Sequence, residues 1–303
     1  MSTGRLSLIT VLAVALSSCL HFDTFVFEAL PVKDPSADLL AASQIPAQFR
    51  TEELIKESDG TTVDAYLLTH DASDGTTASR HNIALLYCHG QDTNIETTVP
   101  RLDMLWLQGY TVLAFDYRGF GKTVGTPTDV GVNADTHAAY DWLAAQKPAY
   151  MVGVYGRSLG TAMCLKVAVD RQAAALVLES PISSIQQIID ESTTLTTPSD
   201  YYVDSQLNNL AEIPGYSGDL LIMHGLSDTY VPYVYGEELH ALAQGHAKVN
   251  TLWLVPGADH DTVPCTSKVH ASTDNSCVGG VPSGVNPDYF ATLNTLYDNA
   301  FAQ

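Results

Sequence analysis

Met151-Val152-Gly153-Val154-Tyr155-Gly156-Arg157-Ser158-Leu159-Gly160 is the stretch on which the reading of this 303-residue chain turns. Residues 151–155 read as a short buried strand, and a helical pattern runs from Gly160 through Val169. Between them stands Gly-x-Ser-x-Gly, a sharp strand-to-helix turn that strains the serine and exposes its Oγ. Glycines two places either side of Ser158 let strand and helix approach closely. The helix start brings backbone N–H groups and a positive dipole end, which favour developing negative charge.

Outward from this turn, strands and helices alternate. Residues 83–88 are a continuous apolar run, typical of a strand buried on both faces. Helix follows at about 98–107, strand at 111–115, helix at about 133–145 and, after the serine helix, strand at 174–178. Farther on come strand 219–223, helix 233–243 and strand 251–255. A last helix opens near Asn286-Pro287, a good cap and first-turn pair, with Phe290, Leu293, Tyr297 and Phe301 as its apolar stripe. An earlier strand is expected at 63–68, after the turn residues Ser58-Asp59-Gly60. This alternation predicts an α/β domain with a mostly parallel central sheet and helices on both faces. Ligands of such sheets bind at the carboxyl ends of the strands.

The domain is expected over 51–303. Residues 1–18 read as a signal peptide: Arg5 gives a positive start, and residues 6–16 are apolar but too short to span a bilayer comfortably. Leu16-Ser17-Ser18-Cys19 resembles a bacterial lipobox, which implies cleavage before Cys19, its lipidation, and an outer-membrane address. An ordinary signal peptide that contains a cysteine is the alternative. Residues 19–50 have scattered prolines and no period, and read as a tether plus a cover strand or short helix leading into the domain. With 46% hydrophobic and 16% charged residues the chain can bury a sizeable core. Its net charge of −20 argues against nucleic acid and anionic membrane surfaces as partners, since both want a basic patch.

A serine needs a base to take its proton, and the base needs an acid to orient it. Of ten histidines, His260 is the best placed, in Gly257-Ala258-Asp259-His260-Asp261 directly after the last strand. His224 and His89 end strands and read as structural. His21, His70, His81, His137, His240, His246 and His270 fall in the lead-in, on helices or in polar loops, where a solvated or core histidine is the default. Asp228 follows the penultimate strand and is the candidate acid; Asp259 and Asp261 read as loop-solvating carboxylates. For the oxyanion, His89-Gly90-Gln91 follows strand 83–88, so the backbone N–H groups of Gln91 and Leu159 are the candidate donors.

Taken together, residues 85–90, Asp116-Tyr117-Arg118-Gly119, Gly156-Arg157-Ser158-Leu159-Gly160, Glu179-Ser180-Pro181, His224-Gly225 with Asp228, and Gly257-Ala258-Asp259-His260 resemble the α/β-hydrolase family of small-capped serine hydrolases. The chain order Ser158, Asp228, His260 is that family's order. The resemblance implies cleavage of carboxylic esters or thioesters through an acyl-enzyme on Ser158, with no cofactor. It gives Asp116 and Arg118 a bracing role. Gln91 stands where an asparagine is common. Only about forty residues separate Ser180 from Asp219, too few for a large cap, so an open site with a minimal cap is expected. A peptidase shares this machinery but usually carries a propeller or large cap. A silent binding lipoprotein would usually have lost a triad residue.

Cys265 and Cys277 lie in a polar stretch and are the candidate disulfide, locking a surface loop or walling the pocket. Cys88 and Cys164 fall in apolar runs and read as small buried hydrophobes. No cysteine pair has zinc-ligand spacing, and no metal cluster is expected.

Overall fold

A computed structural model of the chain describes residues 26–76, 80–146, 150–191, 205–264 and 287–302. From residue 50 onward it runs β1 (Arg50–Lys56), β2 (Thr62–Leu68), β3 (Ile83–Cys88), α1 (Ile95–Leu107), β4 (Thr111–Phe115), α2 (Asp129–Gln146), β5 (Met151–Arg157) and α3 (Gly160–Arg171). There follow β6 (Ala175–Glu179), the short helices α4 (Ile185–Asp190) and α5 (Asn209–Glu212), β7 (Asp219–Gly225), α6 (Val234–Leu242), β8 (Val249–Val255) and α7 (Pro287–Phe301). The eight strands form one sheet in the order β1-β2-β4-β3-β5-β6-β7-β8. The first two pairings are antiparallel and the rest parallel. This is the mostly parallel sheet expected from the alternation, in the α/β-hydrolase form that the resemblance implies.

β3, β4 and β6 are buried at every residue, as their unbroken apolar runs require. One core lies on each face of the sheet. Leu86, Leu113, Val154 and Leu178 point to one, with α2 and α3 over them; Leu85, Val112, Tyr155 and Val177 point to the other, with α1 and α7. The opposite placement of adjacent residues is the two-residue strand period. α1 starts on a reciprocal cap, in which Asn94 Oδ1 accepts from Thr97 N and Thr97 Oγ1 accepts from Asn94 N.

Four features differ from expectation. β1 was not foreseen: Arg50–Lys56 is a charged, half-exposed edge strand that carries no apolar run. The lead-in is cover over more of its length than one strand or short helix: besides the 3-10 turn Ala47–Phe49, Phe27, Leu39, Leu40 and Ile45 are buried and Val32 N donates to Gly121 O. On α7 the buried stripe is Tyr289, Leu293, Leu296 and Tyr297, whereas Phe290 and Phe301 are only partly covered. Tyr297 fits because residue 153 is a glycine; a Cβ there would lie 2.5 Å from the Tyr297 ring.

The fourth difference is covalent. Cys88, at the end of β3, and Cys164, on α3, form a disulfide, so they are not independent hydrophobes. Their sequence separation of 76 hid the pairing, since two buried cysteines look alike whether free or joined. Replacing both by alanine is expected to lower the unfolding free energy by about 2–4 kcal/mol, through the freed denatured chain. Urea melts of the double variant against wild type measure this; coincident midpoints would mean the bridge adds nothing. Cys19, Cys265 and Cys277 lie outside the described residues.

Candidate active site

Every piece of the site sits at the carboxyl end of a strand. Ser158 follows β5 directly, with φ at 53°, a left-handed conformation that a side chain adopts only under constraint. The constraint is close packing. A Cβ on Gly160 would lie 2.4 Å from the carbonyl oxygens of Cys88 and His89, and one on Gly156 would lie 2.9 Å from Cys164 Cβ. Both motif glycines are therefore steric necessities. Ser158 N donates to Glu179 O on β6, which fixes the turn against the neighbouring strand.

The β7 and β8 loops are sewn to each other. Ser227 N donates to Ala258 O and Leu226 N to Val255 O. A Cβ at Gly225 would lie 2.4 Å from Ala258 O, so this approach requires glycine. The result brings three distant side chains into line: His260 Nε2 lies 3.0 Å from Ser158 Oγ, and His260 Nδ1 lies 2.8 Å from Asp228 Oδ2. All three residues are buried. Burial would raise the Asp228 carboxyl, but hydrogen bonds from His224 and His260 and the Val231 N–H outweigh it and hold the group below the usual carboxylate range. Asp228 is thus an anion that accepts from the Nδ1–H, leaving Nε2 to face the serine hydroxyl.

Gly90 brings the β3 loop beside the serine; a Cβ there would lie 3.3 Å from Ser158 Cβ. Among the described residues, neither Gln91 N nor Leu159 N donates to a protein acceptor. Two free N–H groups flanking a serine can serve a carbonyl oxygen that gains charge. The Gln91 side chain turns away, with Nε2 donating to Glu28 O. His89 packs beneath the turn against Tyr117 and Phe120, and burial pushes it down to about 4, so it is neutral. His224 Nε2 donates to Val231 O and braces the Asp228 loop. Arg118 binds Asp135, Glu57 and Asp59, and Asp116 accepts from Ile95 N, so both brace the scaffold.

Sequence reading missed a buried charge cluster under the site. Arg101 on α1 donates from Nη1 to both Glu179 carboxylate oxygens at 2.6 and 2.8 Å, and from Nη2 to Asp261 O. Arg157, the variable residue inside the serine motif, donates to the Asp261 carboxylate. Tyr155 donates to Glu179 Oε2. Arg101, Arg157 and Glu179 are at most 1% exposed. Asp261 is therefore not a loop-solvating carboxylate; it ties the His260 loop to the serine turn. Asp259 closes the same loop locally, accepting from Thr262 N and Oγ1. One signal was available: Arg101 interrupts the apolar face of α1, where a charge must find a partner.

Above the site stands an apolar rim. Tyr230 is 75% exposed with its ring 5.1 Å from that of His260, and Leu226 and Val234, before and after it in the chain, are exposed too. Between Ser180 and Asp219 the described residues form α4, α5 and a 3-10 turn at Ile213–Gly215. A cavity of about 300 Å³ lined by Asp219, Leu221, Val249, Thr251 and Leu296 lies at the opposite, amino end of β7 and β8, away from this chemistry.

A family model described as "Serine aminopeptidase, S33" matches residues 79–213. Among solved structures the chain is similar to the Pyrococcus furiosus esterase Pf2001, at 18% identity and TM-score 0.58, over 77% of this chain and 89% of that one. It is also similar to XC6422 of Xanthomonas campestris, an a/b serine hydrolase without lid, at 16% identity and TM-score 0.52, over 72% of this chain and 88% of that one. Among curated proteins it is 31% identical to human alpha/beta hydrolase domain-containing protein 17B over 50% of this chain and 51% of that protein. Uncharacterized protein Rv2307c of Mycobacterium tuberculosis is 30% identical over 224 residues, 73% of this chain and 75% of that protein. The chain belongs to the α/β-hydrolase family of serine hydrolases. Within this α/β hydrolase, the matched segment runs through the serine turn and ends before the Asp228 and His260 loops, which are placed by geometry alone.

Proposed function

We propose that the protein is an esterase or thioesterase acting through an acyl-enzyme on Ser158. The observation that carries this reading is the unbroken Ser158–His260–Asp228 hydrogen-bond chain at the head of a left-handed serine turn. In the first half-reaction Ser158 Oγ attacks the substrate carbonyl while His260 Nε2 takes its proton. The tetrahedral oxyanion is held by the N–H groups of Gln91 and Leu159. It collapses by expelling the alcohol or thiol, which leaves with the proton from His260. Water then repeats the sequence on the acyl-enzyme, releasing the acid and restoring Ser158. Asp228 stabilises the imidazolium that forms at each stage.

The substrate reading rests on the rim. With only about forty residues between Ser180 and Asp219 to cover the serine, and exposed Tyr230 beside its base, the site suits short and medium acyl groups, or an acyl group borne on a larger carrier. The test is a panel of p-nitrophenyl acetate, butyrate, octanoate and palmitate. We expect kcat/KM to be highest for butyrate or octanoate and lowest for palmitate. Activity confined to palmitate would contradict the open-site reading, and no activity on any ester would contradict the function.

A further inference from the structure

His70 and His81 look in sequence like solvated or core histidines, but the fold brings them together with Asp74. His70 Nδ1 lies 2.8 Å from Asp74 Oδ2. His81 Nε2 lies 3.9 Å from Asp74 Oδ1. The three candidate ligand atoms all fall within 4.8 Å of one another. The cluster sits after β2 and against the start of β4, at the end of the sheet away from Ser158. It plays no part in the chemistry proposed above.

Hydrogen-bond accounting shows why this cluster is incomplete. His70 Nε2 lies 2.9 Å from Tyr110 O, an oxygen that can only accept, so this nitrogen carries the N–H of the ring. In a neutral imidazole that choice turns the Nδ1 lone pair toward Asp74, whose carboxylate is also acceptor-only. The Thr76 hydroxyl is within 2.7 Å of Asp74 Oδ1 and 3.1 Å of His70 Nδ1, but has one proton for these two acceptors; His81 Nε2, 2.9 Å away, donates or accepts according to its tautomer. A carbonyl that fixes one histidine nitrogen while the other faces a carboxylate is the outer-shell arrangement that orients metal-bound imidazoles.

We propose that His70 Nδ1, His81 Nε2 and the Asp74 carboxylate bind one divalent first-row cation, Zn²⁺ being the best match to two imidazoles and a carboxylate. His70 is the fixed ligand: its ring is stacked 4.6 Å from Trp106 on one side, and Trp106 itself donates from Nε1 to Thr69 O. His81 is the adjustable one. Its ring lies parallel to His70 at 4.4 Å, and stacked parallel rings cannot both aim in-plane lone pairs at one ion, so His81 turns on binding. At 19% side-chain exposure it has room to do so. Bound this way the ion closes the β2–β3 connection on itself, a structural role, through a ring that already stacks on Trp106 of α1 and bonds to Tyr110 O ahead of β4.

The experiment is calorimetric titration of ZnCl₂ into the full chain after chelator treatment, alongside His81→Ala and Asp74→Asn. A thermal melt with and without Zn²⁺ provides the second readout. We expect one Zn²⁺ per chain with a raised melting temperature in wild type. Each variant should weaken binding by at least about tenfold and abolish the thermal shift, while ester hydrolysis without metal is unchanged. Zn²⁺ binding of equal strength in wild type and His81→Ala would overturn the proposal by placing the ion elsewhere. No binding in wild type would overturn it too.

Discussion

Ser158→Ala is expected to abolish ester turnover, with kcat falling by roughly 10⁶-fold, and His260→Ala to do the same. The two losses should be equal and not additive, because nucleophile and base act as one unit. Asp228→Asn should cost about 10⁴-fold, since an amide in place of Oδ2 can hold the imidazole in the wrong tautomer and cannot stabilise its positive charge. Burial makes this dependence strong: Asp228 is 7% exposed, so no bulk water substitutes for its charge. Single-turnover kinetics on p-nitrophenyl butyrate separate acylation from deacylation, and both steps should slow because the same base serves each. A fully active Asp228→Asn variant would show that a different group orients His260.

Glu179→Gln carries the largest expected effect on stability. Its carboxylate faces the Arg101 guanidinium, both are buried, and Tyr155 donates to it as well. Burial alone would push Arg101 down, but the Glu179 charge more than offsets this and holds the guanidinium charge more firmly than in water. Removing that anion leaves a buried cation uncompensated, a loss of about 3–5 kcal/mol. For a domain of this size the melting temperature should fall by roughly 10 °C. The paired substitution Arg101→Met with Glu179→Leu should cost far less, because two buried charges then leave together. If Glu179→Gln melts within a degree or two of wild type, the cluster is not the brace described above.

The convergence of Ser158, Asp228 and His260 was legible because each follows an apolar strand within a short loop of fixed chemistry: glycines around Ser158, Gly225 before Asp228, and Gly257 before His260. Local sequence is enough where local sterics set the geometry. The sheet was readable for the same reason, since β3, β4 and β6 are runs that only a doubly covered strand can bury. What escaped reading depends on partners distant along the chain. Asp261 looks like any loop aspartate until Arg157 and Arg101 are folded onto it. Cys88 and Cys164 look like filler until β3 and α3 are packed. His70, Asp74 and His81 look solvated until Tyr110 O fixes one ring. On α7 two stripes a fraction of a turn apart were both apolar, and only the tyrosine hydroxyl bonds from Tyr289 to Tyr155 and from Tyr297 to Val154 O settle which faces inward.

Labelling with a fluorophosphonate probe, followed by mass spectrometry of the modified peptide, tests the central assignment most directly. The probe reports on an activated serine whatever the natural substrate is. The account predicts one adduct, on the peptide that carries Ser158, at near-stoichiometric yield in wild type and absent from Ser158→Ala and His260→Ala. An unlabelled wild-type protein, or an adduct that persists in Ser158→Ala, would contradict it.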